Sequence, residues 1–347
     1  MNPIHPMKKR LILTLLAALA GFIPAAPLHA AEELTLYTQR HYEFDEAVHR
    51  LFTEKTGITV KVVKAASDEL IVRLQEEGAN TPADLYLTAD GGGLDRAKKA
   101  GLLQSFTSEA IKEKVPATLR DPDDQWVALT KRARVLIYSP ERVKAGELST
   151  YEDLADPKWR GRLVARSSSN IYNQSLMTTV IEANGAEASE AWAAAVRQNM
   201  VRPPQGSDRD QIRAVATGLA DVAIANTYYL GLLETSEDQK DRDAAAAVKV
   251  FFPNQEGRGA HVNISGAGIV KSSKKAALAT QFLEFLLSDE IQSRYAEETF
   301  EYPVSETAKW SPIQEKWGKF TADDVAFSVL GDRNAEAVRL FNQAGWE

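Results

Sequence analysis

Short runs rich in β-branched residues alternate with amphipathic helical segments along most of the chain, and this alternation restricts the fold more than any other feature. Leu34–Tyr37 reads as an apolar strand, with a helix over Glu43–Glu54 that ends near Gly57. Thr59–Lys64 and Asp84–Thr88 read as strands, with the amphipathic segment Ser67–Glu77 between them. A turn is expected at Gly91-Gly92-Gly93, then a helix over Leu94–Ala100. A second series places strands at Arg162–Arg166, Asp221–Ala225 and Val248–Phe252, and helices at Ser175–Ala183, Glu187–Gln198 and Asp210–Ala216. Lys274–Leu287 reads as a helix and Ala322–Gln343 as mostly helical. Such alternation implies an α/β fold with largely parallel sheets.

At 347 residues the chain exceeds one ordinary core, so two lobes are expected. Two segments look able to pass between them. Trp126–Tyr138 is a long strand with Lys131, Arg132 and Arg134 in its middle, and His261–Val270 is a candidate return strand. The expected first lobe spans residues 31–128 plus about 262–300, and the second 129–261 plus about 301–347. Mixed sheets flanked by helices, hinge strands and a central cleft complete the expectation.

Residues 1–30 have the three parts of a secretory signal: the bases Lys8, Lys9 and Arg10, the apolar run Leu11–Ala20, and a small-residue stretch reaching Ala30. Removing them takes away three bases and no acids, so the net charge moves from -7 to -10. Phosphate backbones repel such a chain, which argues against nucleic acid as a partner. The absence of cysteine excludes disulfides, thiolate metal sites and thiol nucleophiles.

Four tyrosines share one local context. Tyr42 follows the first strand and opens a helix; Tyr172 follows Ser167-Ser168-Ser169-Asn170; Tyr228 and Tyr229 follow Asn226-Thr227 after a strand. Each is expected at the carboxyl end of a strand, the edge where open α/β sheets bind ligands. Helix starts present unpaired N–H groups and a positive dipole end, which favour phenolate over phenol. A free phenol titrates near about 10, so only a strong, hard Lewis acid such as Fe³⁺ would hold several phenolates at neutral pH. His41 would add a nitrogen donor, and Arg40, Arg132 or Arg134 would offset the one net negative charge of four phenolates on Fe³⁺. These residues also admit other readings: aromatic rings stacked on a polyamine or thiamine, or Arg40 and the serines on an oxyanion. An exported enzyme lacks support, since no nucleophile elbow, HExxH motif or convincing triad is present. Tyr37, Tyr86, Tyr138, Tyr151, Tyr295 and Tyr302 read as packed rings with satisfied hydroxyls.

Arg40-His41-Tyr42, the runs Arg166–Ser175, Ala225–Tyr229 and Phe252–Asn263, and the segment Thr130–Val135 closely resemble the periplasmic ferric-iron-binding proteins of bacterial iron ABC transporters. The resemblance covers essentially the whole mature chain. It implies a type II periplasmic binding protein, monomeric, closing on one Fe³⁺ and delivering it to an inner-membrane permease. It also implies metal ligation by Tyr42, Tyr172, Tyr228 and Tyr229, with the histidine matching His41 a ligand in some members. Some relatives carry arginine at the position of Leu232, which leaves charge balance here to Arg40 or the hinge arginines. Cleavage after Ala30 is the expected processing event; mass spectrometry of the exported protein should find Ala31 at its N-terminus, and a retained leader would contradict this.

Overall fold

The computed structural model describes Met1, residues 32–40 and residues 42–346. The candidate donor His41 and the expected leader beyond Met1 lie outside the described residues. Three strand–helix units open the fold: β1 (Glu33–Thr38) with α1 (Glu43–Thr56), β2 (Thr59–Lys64) with α2 (Ser67–Glu77), and β3 (Leu85–Thr88) with α3 (Gly91–Lys99). Short β4 (Leu103–Gln104) and α4 (Glu109–Lys114) lead to the long β5 (Trp126–Tyr138). The second series comprises β6 (Leu163–Val164), α5 (Ile171–Asn184), α6 (Ala186–Asn199), α7 (Asp208–Ala216), β7 (Val222–Asn226), α8 (Thr227–Glu234), α9 (Gln239–Ala246) and β8 (Lys249–Phe251). Strand β9 (Val262–Val270) returns, followed by α10 (Ala276–Leu286), α11 (Asp289–Thr299) and β10 (Tyr302–Pro303). The tail carries α12 (Pro312–Trp317), α13 (Phe327–Asp332) and α14 (Asn334–Gln343).

The strand order is β2-β1-β3-β9-β5-β7-β6. Strand β1 pairs in parallel with β2 and β3, and β6 pairs in parallel with β7. Strands β5 and β9 run antiparallel to their neighbours, so the sheets are mixed rather than largely parallel. The two connecting strands cause this, because a chain that crosses over and returns must lie antiparallel to itself. Strand β5 changes partner midway: Trp126–Ala133 pair with β9, and Arg134–Tyr138 pair with β7. Beyond a register shift between Ala128 and Thr130, its side chains alternate. Ala133, Val135 and Ile137 enter one core cluster, and Leu136 and Tyr138 another. Thr130, Arg132 and Arg134 share the face that leads into Leu136.

One apolar cluster joins β1, β3, α10 and α11 through Leu36, Leu85, Phe282 and Ile291. The two clusters beyond the partner change cover opposite faces of the second sheet. This is a two-lobed α/β fold. We propose that the lobes part where β5 changes partner and where β9 begins. The tail then belongs to both, for Phe327 packs on the first cluster while Leu340, Phe341 and Trp346 complete the second.

The triple glycine is the start of α3, not a turn before it. Asp90 caps this helix by accepting from the Gly93 N–H at 2.8 Å. A Cβ on Gly91 would lie 2.7 Å from Phe327 Cδ1, and one on Gly92 would lie 2.9 Å from the Leu330 carbonyl carbon. Glycine here serves the close approach of α13, a contact that the local pattern does not reveal. Gly92→Ala should therefore displace α13 and cost about 1–3 kcal/mol, as overpacking does; denaturant unfolding measures this, and a variant of unchanged midpoint would refute it.

Candidate functional site

The tyrosines stand where helices begin. Tyr42 is the N-cap of α1, with extended backbone, and its carbonyl accepts from the Asp45 N–H at 3.1 Å. Tyr172 lies in the first turn of α5, whose N-cap Asn170 accepts the Tyr172 N–H at 3.0 Å. Tyr228 and Tyr229 lie in the first turn of α8, whose N-cap position is held by Asn226 without a side-chain capping bond. Three positive helix ends thus accompany four phenols.

The structure brings Tyr172, Tyr228 and Tyr229 into contact, with Tyr42 close by. Tyr228 donates from its hydroxyl to the Tyr172 hydroxyl at 3.2 Å. The rings of Tyr228 and Tyr229 pack with centroids 4.2 Å apart. Tyr42, from the first series of units, lies within electrostatic range of Tyr172 and Tyr228.

Burial, reinforced by Glu301, raises the Tyr42 phenol well above its usual range. Burial and the neighbouring Tyr172, Tyr42 and Tyr229 hold the Tyr228 phenol well up. Burial, then Tyr172 and Asp208, push Tyr229 up to about 12. These three phenols therefore keep their protons at neutral pH unless a cation joins them. Among the described residues no group of three or more histidines and carboxylates gathers as a rival metal site.

The three arginines expected to balance charge differ in their surroundings. Arg40 is buried and donates to Asp45 at 3.1 Å, to Glu301 at 2.7 Å and to Ser265 at 2.8 Å. Its guanidinium also lies 4.8 Å from the centroid of the Tyr42 ring. Two carboxylates more than cancel its charge, so it anchors the Tyr42 loop to β9 and to Glu301. Arg134 is likewise paired, with Asp208 at 2.8 Å. Arg132 is buried, donates to the Ala89 carbonyl and to Ser265, and lies 5.4 Å from the Tyr172 ring centroid. Among the described residues it has no carboxylate within ion-pair distance. Of these three it is the one whose charge no carboxylate answers; Arg166 and Arg209 also face the phenols, 5.5 Å from the Tyr172 ring centroid and 6.0 Å from that of Tyr229.

Of the six tyrosines read as structural, Tyr37, Tyr86, Tyr151 and Tyr295 bond through their hydroxyls to Glu77, Ser67, the Arg134 carbonyl and Asp45. The buried Tyr302 hydroxyl has no protein partner among the described residues. His261 is buried beside Arg134 and Arg132, and burial first, then those cations, drop its imidazole to about 3. It stays neutral and meets Ser175 Oγ at 3.1 Å, and that hydroxyl donates to the Tyr172 carbonyl. Asp45, Asp208 and Glu301 were not singled out from sequence. Each is one acid among 48 until the fold sets it against an arginine.

A family model described as bacterial extracellular solute-binding protein matches residues 80–324. Iron uptake protein A1 of Synechocystis sp. is 45% identical over 331 residues, which cover 94% of this chain and 92% of that protein. A Trichodesmium protein solved in complex with iron and citrate ligands superposes with a TM-score of 0.86 at 46% identity, over 91% of this chain and 100% of its own. A ferric binding protein from Campylobacter jejuni gives a TM-score of 0.85 at 39% identity, over 90% of this chain and 100% of its own. By the extent of these matches, the chain belongs to the family of bacterial extracellular solute-binding proteins.

Proposed function

We propose that this protein carries one ferric ion in the cleft, bound by the phenolates of Tyr42, Tyr172, Tyr228 and Tyr229. It then delivers the ion to an ABC transporter permease from the periplasmic side of the membrane, acting as a monomer. The observation that carries the reading is the gathering of phenols from separate segments: the Tyr228 and Tyr172 hydroxyls are 3.2 Å apart, Tyr229 packs on Tyr228, and Tyr42 lies within electrostatic range of Tyr172 and Tyr228. Phenols crowded in this way repel one another once ionised, and a hard trivalent cation at their centre removes that penalty. Four phenolates leave the complex with one negative charge, which Arg132 offsets. The relatives named for iron uptake and ferric binding support the same cargo.

The acid dependence follows from the raised phenols. They are protonated in the empty site, so each one that ligates iron releases a proton. Ferric affinity should fall with pH by about tenfold per unit for each proton released. Competition titrations against a chelator across neutral to acid pH read this directly, and a flat profile would sink the proposal. The loaded protein should also absorb visible light through phenolate-to-iron charge transfer. Tyr228→Phe and Tyr229→Phe should each weaken and shift that band, whereas a colourless protein holding stoichiometric Fe³⁺ would rule out tyrosinate ligation.

A further inference from the structure

Arg134 lies where β5 leaves the first sheet, and its guanidinium reaches the starts of three helices, α5, α7 and α8, at once. Nη2 donates to Asn173 Oδ1 at 2.6 Å, while Nη1 donates to Asn226 Oδ1 at 3.0 Å and to Asp208 Oδ2 at 2.8 Å. Asn173 adjoins Tyr172 in α5, and Asn226 stands at the N-cap position of α8, two residues before Tyr228. The grip extends further. Asn173 Nδ2 donates to the carbonyls of Arg166 and Ser167, so the loop entering α5 is held from the same point. The same Asp208 oxygen accepts from the Asn226 N–H at 2.9 Å, and the arginine side chain is 1% exposed.

We propose that Arg134 is a positioning residue whose planar fork sets the spacing between the starts of α5 and α8, and with it the distance from Tyr172 to the Tyr228–Tyr229 pair. The inference rests on the ferric reading of the site. Asp208 pairs with Arg134 at 2.8 Å and with Arg166 at 3.6 Å, so the argument for Arg134 rests on its three directed bonds rather than on its charge, which a lysine would keep. A guanidinium suits the task because its donors point in fixed directions, whereas a lysine ammonium is a point charge on a flexible stem. Burial also keeps bulk water from replacing a lost bond at any of the three acceptors.

The test uses the full mature chain loaded with ferric citrate, as wild type, Arg134→Lys and Asn226→Ala. Three readouts are compared: ferric affinity by chelator competition, the position of the visible band, and thermal unfolding of the metal-free protein. Arg134→Lys keeps the charge and loses the fork; affinity should drop about ten- to hundredfold, as for other residues that orient metal ligands, with a shifted band. Asn226→Ala removes only the side-chain bond to Arg134, since Oδ1 accepts that bond and Nδ2 has no partner among the described residues. It should shift the band in the same direction with a smaller loss of affinity. A lower melting temperature with unchanged band and affinity would reveal a merely structural role and overturn the inference. If Arg134→Lys does not fold, Asn226→Ala decides on the same criteria. Iron bound by the wild type without a band would overturn the phenolate reading and this inference with it, whereas a normal wild-type band that neither variant alters overturns this inference alone.

Discussion

Withdrawing a phenol from water makes its proton hard to lose, and the cleft of this protein is organised around that cost. Tyr228 is almost fully buried, and its neighbours are three more phenols rather than bases that would accept its proton. Tyr42, Tyr228 and Tyr229 in this cluster keep their protons and carry no charge, and Tyr228 is tied to Tyr172 by an ordinary hydrogen bond. Ionisation of several members becomes favourable only when a small, highly charged cation enters among them. The same desolvation that protects the protons would strengthen every cation–phenolate attraction, because little water remains to screen it.

Around that cluster the hinge arginines divide their tasks according to their carboxylate partners. Arg40 and Arg134 sit in dry surroundings and are each tied to acids, which buried guanidinium groups require. Arg132 instead has carbonyl and hydroxyl acceptors and an uncancelled charge. The alternation of β5 puts Thr130, Arg132 and Arg134 on one face, so a single strand supplies an anchor for Glu301, a counter-charge and a fork at two-residue intervals.

Much of this was legible in the sequence because it is local. The bounds of β2, α2 and β5 match the periodic runs in residues 59–64, 67–77 and 126–138. The first-turn positions of Tyr172 and Tyr228 follow from the Asn, Ser and Thr residues that precede them, side chains suited to helix starts. The rest depends on partners distant in the chain. Glu301 meets Arg40 across 261 positions, and nothing near residue 301 announces it. The glycines of α3 suggested a turn because glycine usually marks one; their reason is a helix more than 230 positions later. The alternation alone suggested largely parallel sheets for a similar reason, since periodicity reports a strand but not which neighbour it will find, whereas the expectation of mixed sheets with two connecting strands agrees with the pairings of β5 and β9.

The tail has a consequence for how the molecule is made. Phe327 and Leu330 cover the glycine face of α3, and Trp346 packs its ring 6.0 Å from that of Trp192 in the other core. Neither half can therefore close its apolar interior without this segment, however early its own strands and helices form. Consolidation of both waits on the same twenty or so residues, which joins the completion of two separate cores into one event.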